Sequence, residues 1–104
     1  MSFFVEMTKP VDLGGGNTAT VRKLSFGEHA AAQSSAMHMT PDGVQMDYPK
    51  LRLELAKAAT VAWDGPDLDR PCTPANVEAL PPVVGGKLAD AALELLSVGE
   101  EAGN

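Results

Sequence analysis

Cysteine is nearly missing from this chain, with Cys72 alone among 104 residues. One thiol excludes an internal disulfide framework and a cysteine-built zinc site, which predicts a reducing cytoplasm. Basic residues are short, eight against fourteen acidic, and the net charge of -6 opposes a sequence-independent grip on a phosphate backbone. A nucleic-acid role is disfavoured on that ground. Long apolar runs are lacking too: Ala30 to Ala32 and Ala58 to Trp63 fall far below the roughly 20 residues of a membrane span. Met1-Ser2-Phe3 lacks the basic start of a signal peptide. What is present, 44% apolar residues over this length, suits one core; two cores of about 50 residues each would be marginal without staples. The expected organisation is one domain over 1–99 and a flexible tail over 100–104.

Val11/Leu13 and Ala19/Val21 alternate with polar neighbours on either side of Gly14-Gly15-Gly16-Asn17, which predicts a β-hairpin. No Lys-Ser/Thr pair follows those glycines, so a phosphate-cradling loop is rejected. Ser25 with Glu28 three residues on matches a capping box and predicts a helix start. That helix has a thin apolar face, placed at Phe26, Ala30 and Met37. Pro41-Asp42-Gly43 is a turn, and Asp47 with Pro49 opens a second helix. Leu51, Leu55, Ala58, Ala59 and Ala62 keep helical spacing, so this helix is expected to run from Lys50 to Trp63 and stop at Asp64-Gly65-Pro66. Thr73-Pro74 caps a short helix reaching about Leu80. Past Pro81-Pro82, Val84, Leu88, Ala91, Leu95 and Val98 form one stripe of a final amphipathic helix, with Gly99 as its expected C-cap. The stripe serves a core or a partner helix equally.

Catalytic chemistry finds little to work with. His29 and His38 are the only neutral-pH bases, and neither sits in a Gly-x-Ser-x-Gly or His-Glu-x-x-His pattern. Cys72 has no histidine nearby in the chain. Asp67, Asp69 and Glu78 fit positions 1, 3 and 12 of a calcium loop, but Pro71 and Cys72 occupy the central positions, and the register fails. Met37-His38-Met39 offers soft copper(I) ligands in a geometry that three adjacent residues satisfy poorly. The expectation is no enzyme, no cofactor and no metal.

Two features suit a partner instead. Met37, Met39 and Met46 crowd together, and flexible thioethers make either an adaptable contact surface or gap-fillers under a loop. Lys50, Arg52 and Lys57 against Glu54 make the second helix the one basic helix of an acidic chain, either a docking surface or a face that pairs with the acidic C-terminal half. These six residues form the candidate partner-binding surface. Together the readings predict a mainly helical α+β domain: an N-terminal β-hairpin followed by three main helices and one short helix.

The hairpin leading through Val21-Arg22-Lys23-Leu24-Ser25-Phe26-Gly27-Glu28, the helical middle, Trp63-Asp64-Gly65, the stretch Thr73 to Pro81 and the final amphipathic helix together resemble the tail assembly chaperones of long-tailed bacteriophages, over most of residues 9–99. The resemblance implies a non-catalytic protein of the host cell cytoplasm, not retained in the mature virion. It further implies binding to the tape measure protein, whose long helices it keeps from aggregating, and help in recruiting the major tail protein as tail tube subunits. A homo-oligomer is compatible with it. The alternative is a structural virion protein such as a head-tail connector or tail terminator subunit.

Overall fold

The computed structural model describes residues 2–102. Strand β1 (Thr8–Gly14) pairs antiparallel with β2 (Asn17–Arg22), setting Lys9 opposite Val21 and Val11 opposite Ala19. Their turn carries three successive glycines at φ of 86°, 64° and 83°, a path that side chains oppose. Pro10 is accommodated because β1 is an edge strand. After β2 come α1 (Phe26–Ala36), β3 (Met37–Thr40), β4 (Gly43–Met46), α2 (Tyr48–Ala59), β5 (Thr60–Asp64), α3 (Pro74–Glu78) and α4 (Pro82–Ala102). One sheet has the order β1-β2-β5, all antiparallel, while β3 and β4 form a separate two-stranded ribbon.

Helix α4 packs against β1, β2 and α2, and α1 packs against α2. Leu13, Val21, Leu24, Leu55, Leu88 and Leu95 are buried there, with alanines on α1, α2 and α4 that let the helices approach closely. The Leu88–Leu95 stripe therefore belongs to the core.

Three of the expected helix starts are capped by the residues chosen for them. The Ser25 hydroxyl accepts from the Glu28 N–H at 3.2 Å, Asp47 from Lys50 N–H at 3.1 Å, and Thr73 from Asn76 N–H at 3.2 Å. Glu28 also binds Arg22 through both carboxylate oxygens, and Arg22 reaches the Ala58 carbonyl at 3.3 Å, tying β2, α1 and α2 together. The guanidinium, helped by the Ser25 N–H, holds the Glu28 carboxyl at about 2, from an ordinary 4.5. A depressed carboxyl stabilises the fold fully above its unfolded value and loses that contribution as pH falls toward the folded one. Glu28→Gln is expected to lower the melting temperature at pH 7 and to flatten its decline between about pH 4.5 and 2. An undiminished acid decline in the variant would show that other carboxylates govern it.

The expectation of a mainly helical domain is corrected. Helix makes up 46% and strand 27%, with a three-stranded sheet at its centre. The second helix ends at Ala59 rather than Trp63, because Thr60 to Asp64 pairs with β2: Thr60 opposes Val21 and Ala62 opposes Thr20, with Val61 bulged between them. Sheet hydrogen bonds and two β-branched residues outweigh a helical spacing carried there mainly by alanine. Helix α1 buries Ala32 and Ala36, leaving the expected face at Phe26, Ala30 and Met37 exposed; Phe26 is 93% exposed. Small side chains set the phase of a helix weakly, and here the first turn is fixed by the Ser25–Glu28 capping box and the Arg22–Glu28 fork. Met37 is the first residue of β3 instead of a helix end. Helix α4 runs on through Gly99 to Ala102, so Gly99 does not end it; of the expected tail, residues 103 and 104 lie outside the described residues. Among the described residues no helix is long and apolar enough to cross a membrane.

Candidate partner-binding surface

The stretch from Met37 to Met46 alternates at period two on either side of Pro41-Asp42, and this sets which side chains share a face. Met37 stands opposite Met46 and Met39 opposite Val44; His38 and Gln45 form the pair on the other face. Three methionines and a valine thus make one apolar face of the β3–β4 ribbon. The turn is closed by Thr40 Oγ1 donating to the Gly43 carbonyl at 2.9 Å, with Gly43 at φ 122°. At the root, the Asp47 N–H donates to the Ala36 carbonyl at 2.8 Å and the Met37 N–H to Ser34, fixing the ribbon to the end of α1.

This face is not covered. Met39 is 79% exposed, Val44 60% and Met37 47%, whereas Met7 packs against the core. An isolated two-stranded ribbon is marginal in water, and its unpaired edges invite contact. Methionine, unbranched and polarizable, adapts to irregular apolar partners. The arrangement suits burial against another protein.

The basic residues divide. Lys50 is exposed in the first turn of α2, four residues past Met46 in the chain. Arg52 binds Asp90 of α4 at 2.7 Å and the Gly86 carbonyl at 3.3 Å, and Lys57 lies 3.6 Å from both Glu54 and Glu78. Arg52 and Lys57 therefore join α2 to the acidic C-terminal half. Of the six candidates, the fold brings together Met37, Met39 and Met46 on one face, and Lys50 follows that ribbon in the chain, exposed at the start of α2. Val44 was missed, although the Pro41-Asp42-Gly43 turn between it and Met39, with Met37 and Met46 at period two from them, carries the signal of a hairpin.

The other chemical candidates are absorbed by structure. Asp67, the first residue of the failed calcium register, accepts from Asn17 Nδ2 at 2.8 Å and donates its N–H to Asn17 Oδ1 at 2.9 Å. Burial pushes the Cys72 thiol up, away from a reactive thiolate. Trp63 donates its indole N–H to the Arg70 carbonyl at 2.7 Å, anchoring the loop after β5. Among the described residues no three His, Cys, Asp or Glu side chains converge as a metal-ligand set.

No family model matches this chain, and neither the curated proteins nor the solved structures contain a match to it.

Proposed function

We propose that this chain is a non-catalytic binding protein of the tail assembly chaperone kind, which receives the apolar stripe of a tape measure helix on the methionine face of the β3–β4 ribbon. The single observation that carries the reading is that face, an apolar surface on which Met37, Met39 and Val44 are exposed and Met46 is half-buried at the root. The sequence resemblance supplies the partner's identity, and the surface is of the type that holds varied amphipathic helices by packing rather than by hydrogen-bond readout. Lys50, exposed four residues past the ribbon, can meet acidic residues flanking such a stripe. In this reading the protein acts in the host cell cytoplasm, delivers the tape measure protein to the major tail protein, and is left behind when the tail is complete. A connector or terminator subunit would instead be found in purified virions.

Co-expression with the tape measure protein tests the binding claim. The double substitution Met37→Ser, Met39→Ser is expected to reduce co-purification tenfold or more, since each buried methionine is worth roughly 1.5–3 kcal/mol. The melting temperature should stay nearly unchanged, because both side chains are already exposed. Undiminished co-purification would remove the ribbon as the binding face.

A further inference from the structure

Aromatic residues make up 5% of this chain, and most of them avoid its core. Phe3 is 99% exposed and Phe4 97%, in an arm over residues 2–7 that precedes β1 and has no regular structure. The same molecule holds an apolar groove of about 410 Å³ between α2, α3 and α4, walled by Leu53, Val77, Leu80 and Ala89. Arg52 and Glu78 are its charged lining residues, and both are engaged in the ion pairs with Asp90 and Lys57. Gly85 leaves it open: a Cβ there would meet nothing within 4 Å.

We propose that Phe3 and Phe4 of the arm dock in the α2–α3–α4 groove of a second copy of this chain. The arm cannot fill its own groove. Its root is held by the Lys23 N–H donating to the Met7 carbonyl at 2.7 Å and by the ion pair of Lys9 with Glu94. The groove uses Pro82 to Ala89 of α4, roughly 8–18 Å along the axis from Glu94 at about 1.5 Å per residue. It also lies on another side of that helix. Lys87, Asp90, Ala91 and Glu94 face β1, and at 3.6 residues per turn the mean direction of Gly85, Gly86 and Ala89 lies roughly 140° around the helix from theirs. Four residues separate Phe3 from Met7, a reach of about 14 Å fully extended, too short to round a helix roughly 10 Å wide and then descend it.

Between copies no such limit applies, and two apolar features that are incomplete alone complete each other. A contact of arm with groove is heterologous, so it repeats from copy to copy as a ring or an open chain. Two phenylalanines bury roughly 150–250 Å² each, well below a standard interface, so assembly is weak and depends on concentration. The inference does not rest on the tape measure reading, because the arm and the groove share no residue with the methionine face.

Sedimentation velocity on the full chain, over roughly 10 to 500 μM to span weak dissociation constants, tests it. The wild type should gain mass with concentration. Phe3→Ser, Phe4→Ser removes the arm contact at residues with no packing to lose, and Gly85→Glu blocks the groove from a position open to a side chain. Each variant is expected to remain monomeric and to melt no lower than the wild type, with matching circular dichroism. Mixed in equal amounts, the two should form dimers and stop there, since one chain keeps the only groove and the other the only arm. A wild type that stays monomeric throughout overturns the proposal, as does either variant assembling like the wild type or a mixture that forms no dimer. Met37→Ser, Met39→Ser should self-associate unchanged; loss of assembly there would move the contact to the ribbon and overturn the groove assignment.

Discussion

Leu88→Ala is expected to lower stability by about 2–5 kcal/mol. Leu88 is fully buried where α4 meets both the sheet and α2, in one cluster with Val21 and Leu55. Its neighbours are held by three different elements, so they cannot collapse together into the space left by the missing carbons. A domain of this size is stable by roughly 5–15 kcal/mol in total. At about 4–8 °C per kcal/mol, the melting temperature should fall by roughly 10 °C or more. Leu93, on the same helix but 39% exposed, is the matched comparison and should cost less than about 1 kcal/mol on truncation. Equal losses in urea unfolding at the two positions would mean that α4 presents a different face to the core.

Gly65→Ala is expected to cost several kcal/mol, from two separate causes. Gly65 has φ of 153°, in a region that essentially only glycine occupies, and forcing alanine into it costs about 1–3 kcal/mol. A Cβ at this position would also lie 2.6 Å from the Asn17 Cα, a backbone atom that cannot swing aside. Moving it would disturb a buried network: Asn17 Nδ2 donates to the Gly14 carbonyl at 2.9 Å and to Asp67, and its Oδ1 accepts the Asp67 N–H. That side chain fastens the β1–β2 turn to the corner after β5. Overpacking of this kind adds about 1–3 kcal/mol. Gly85→Ala provides the contrast, since a helical position with open space around it should gain up to about 1 kcal/mol. Should Gly65→Ala melt with the wild type, the corner is not held as described.

The parts of the fold legible in the sequence were those written in local chemistry. The glycine turn between Leu13 and Thr18, the caps at Ser25, Asp47 and Thr73, and the stripe through Leu88 and Leu95 each depend on residues within a few positions of one another. Thr60 to Asp64 was not legible as a strand, because what makes it one is pairing with β2, some forty residues earlier in the chain. Its Ala62 also continues the spacing of α2. At the candidate site, the crowding of Met37, Met39 and Met46 was visible, but that they share a face with Val44 follows only once period two replaces period 3.6. The engagement of Arg52 with Asp90 and of Lys57 with Glu78 was open to the sequence only as one of two alternatives. Which alternative holds depends on how α4 and α3 dock against α2, and that is set by the core rather than by the charges.

The central claim, that the β3–β4 ribbon is the surface that takes a partner helix, is tested most directly by methionine-methyl NMR of the full chain titrated with a helical fragment of the tape measure protein. Met7 packs against the core and serves as the internal reference, while Met37 and Met39 are exposed and Met46 is half-buried at the ribbon root. The account expects the Met37, Met39 and Met46 methyl signals to shift or broaden with the fragment while Met7 stays in place. Binding that leaves all three ribbon signals unmoved would contradict it.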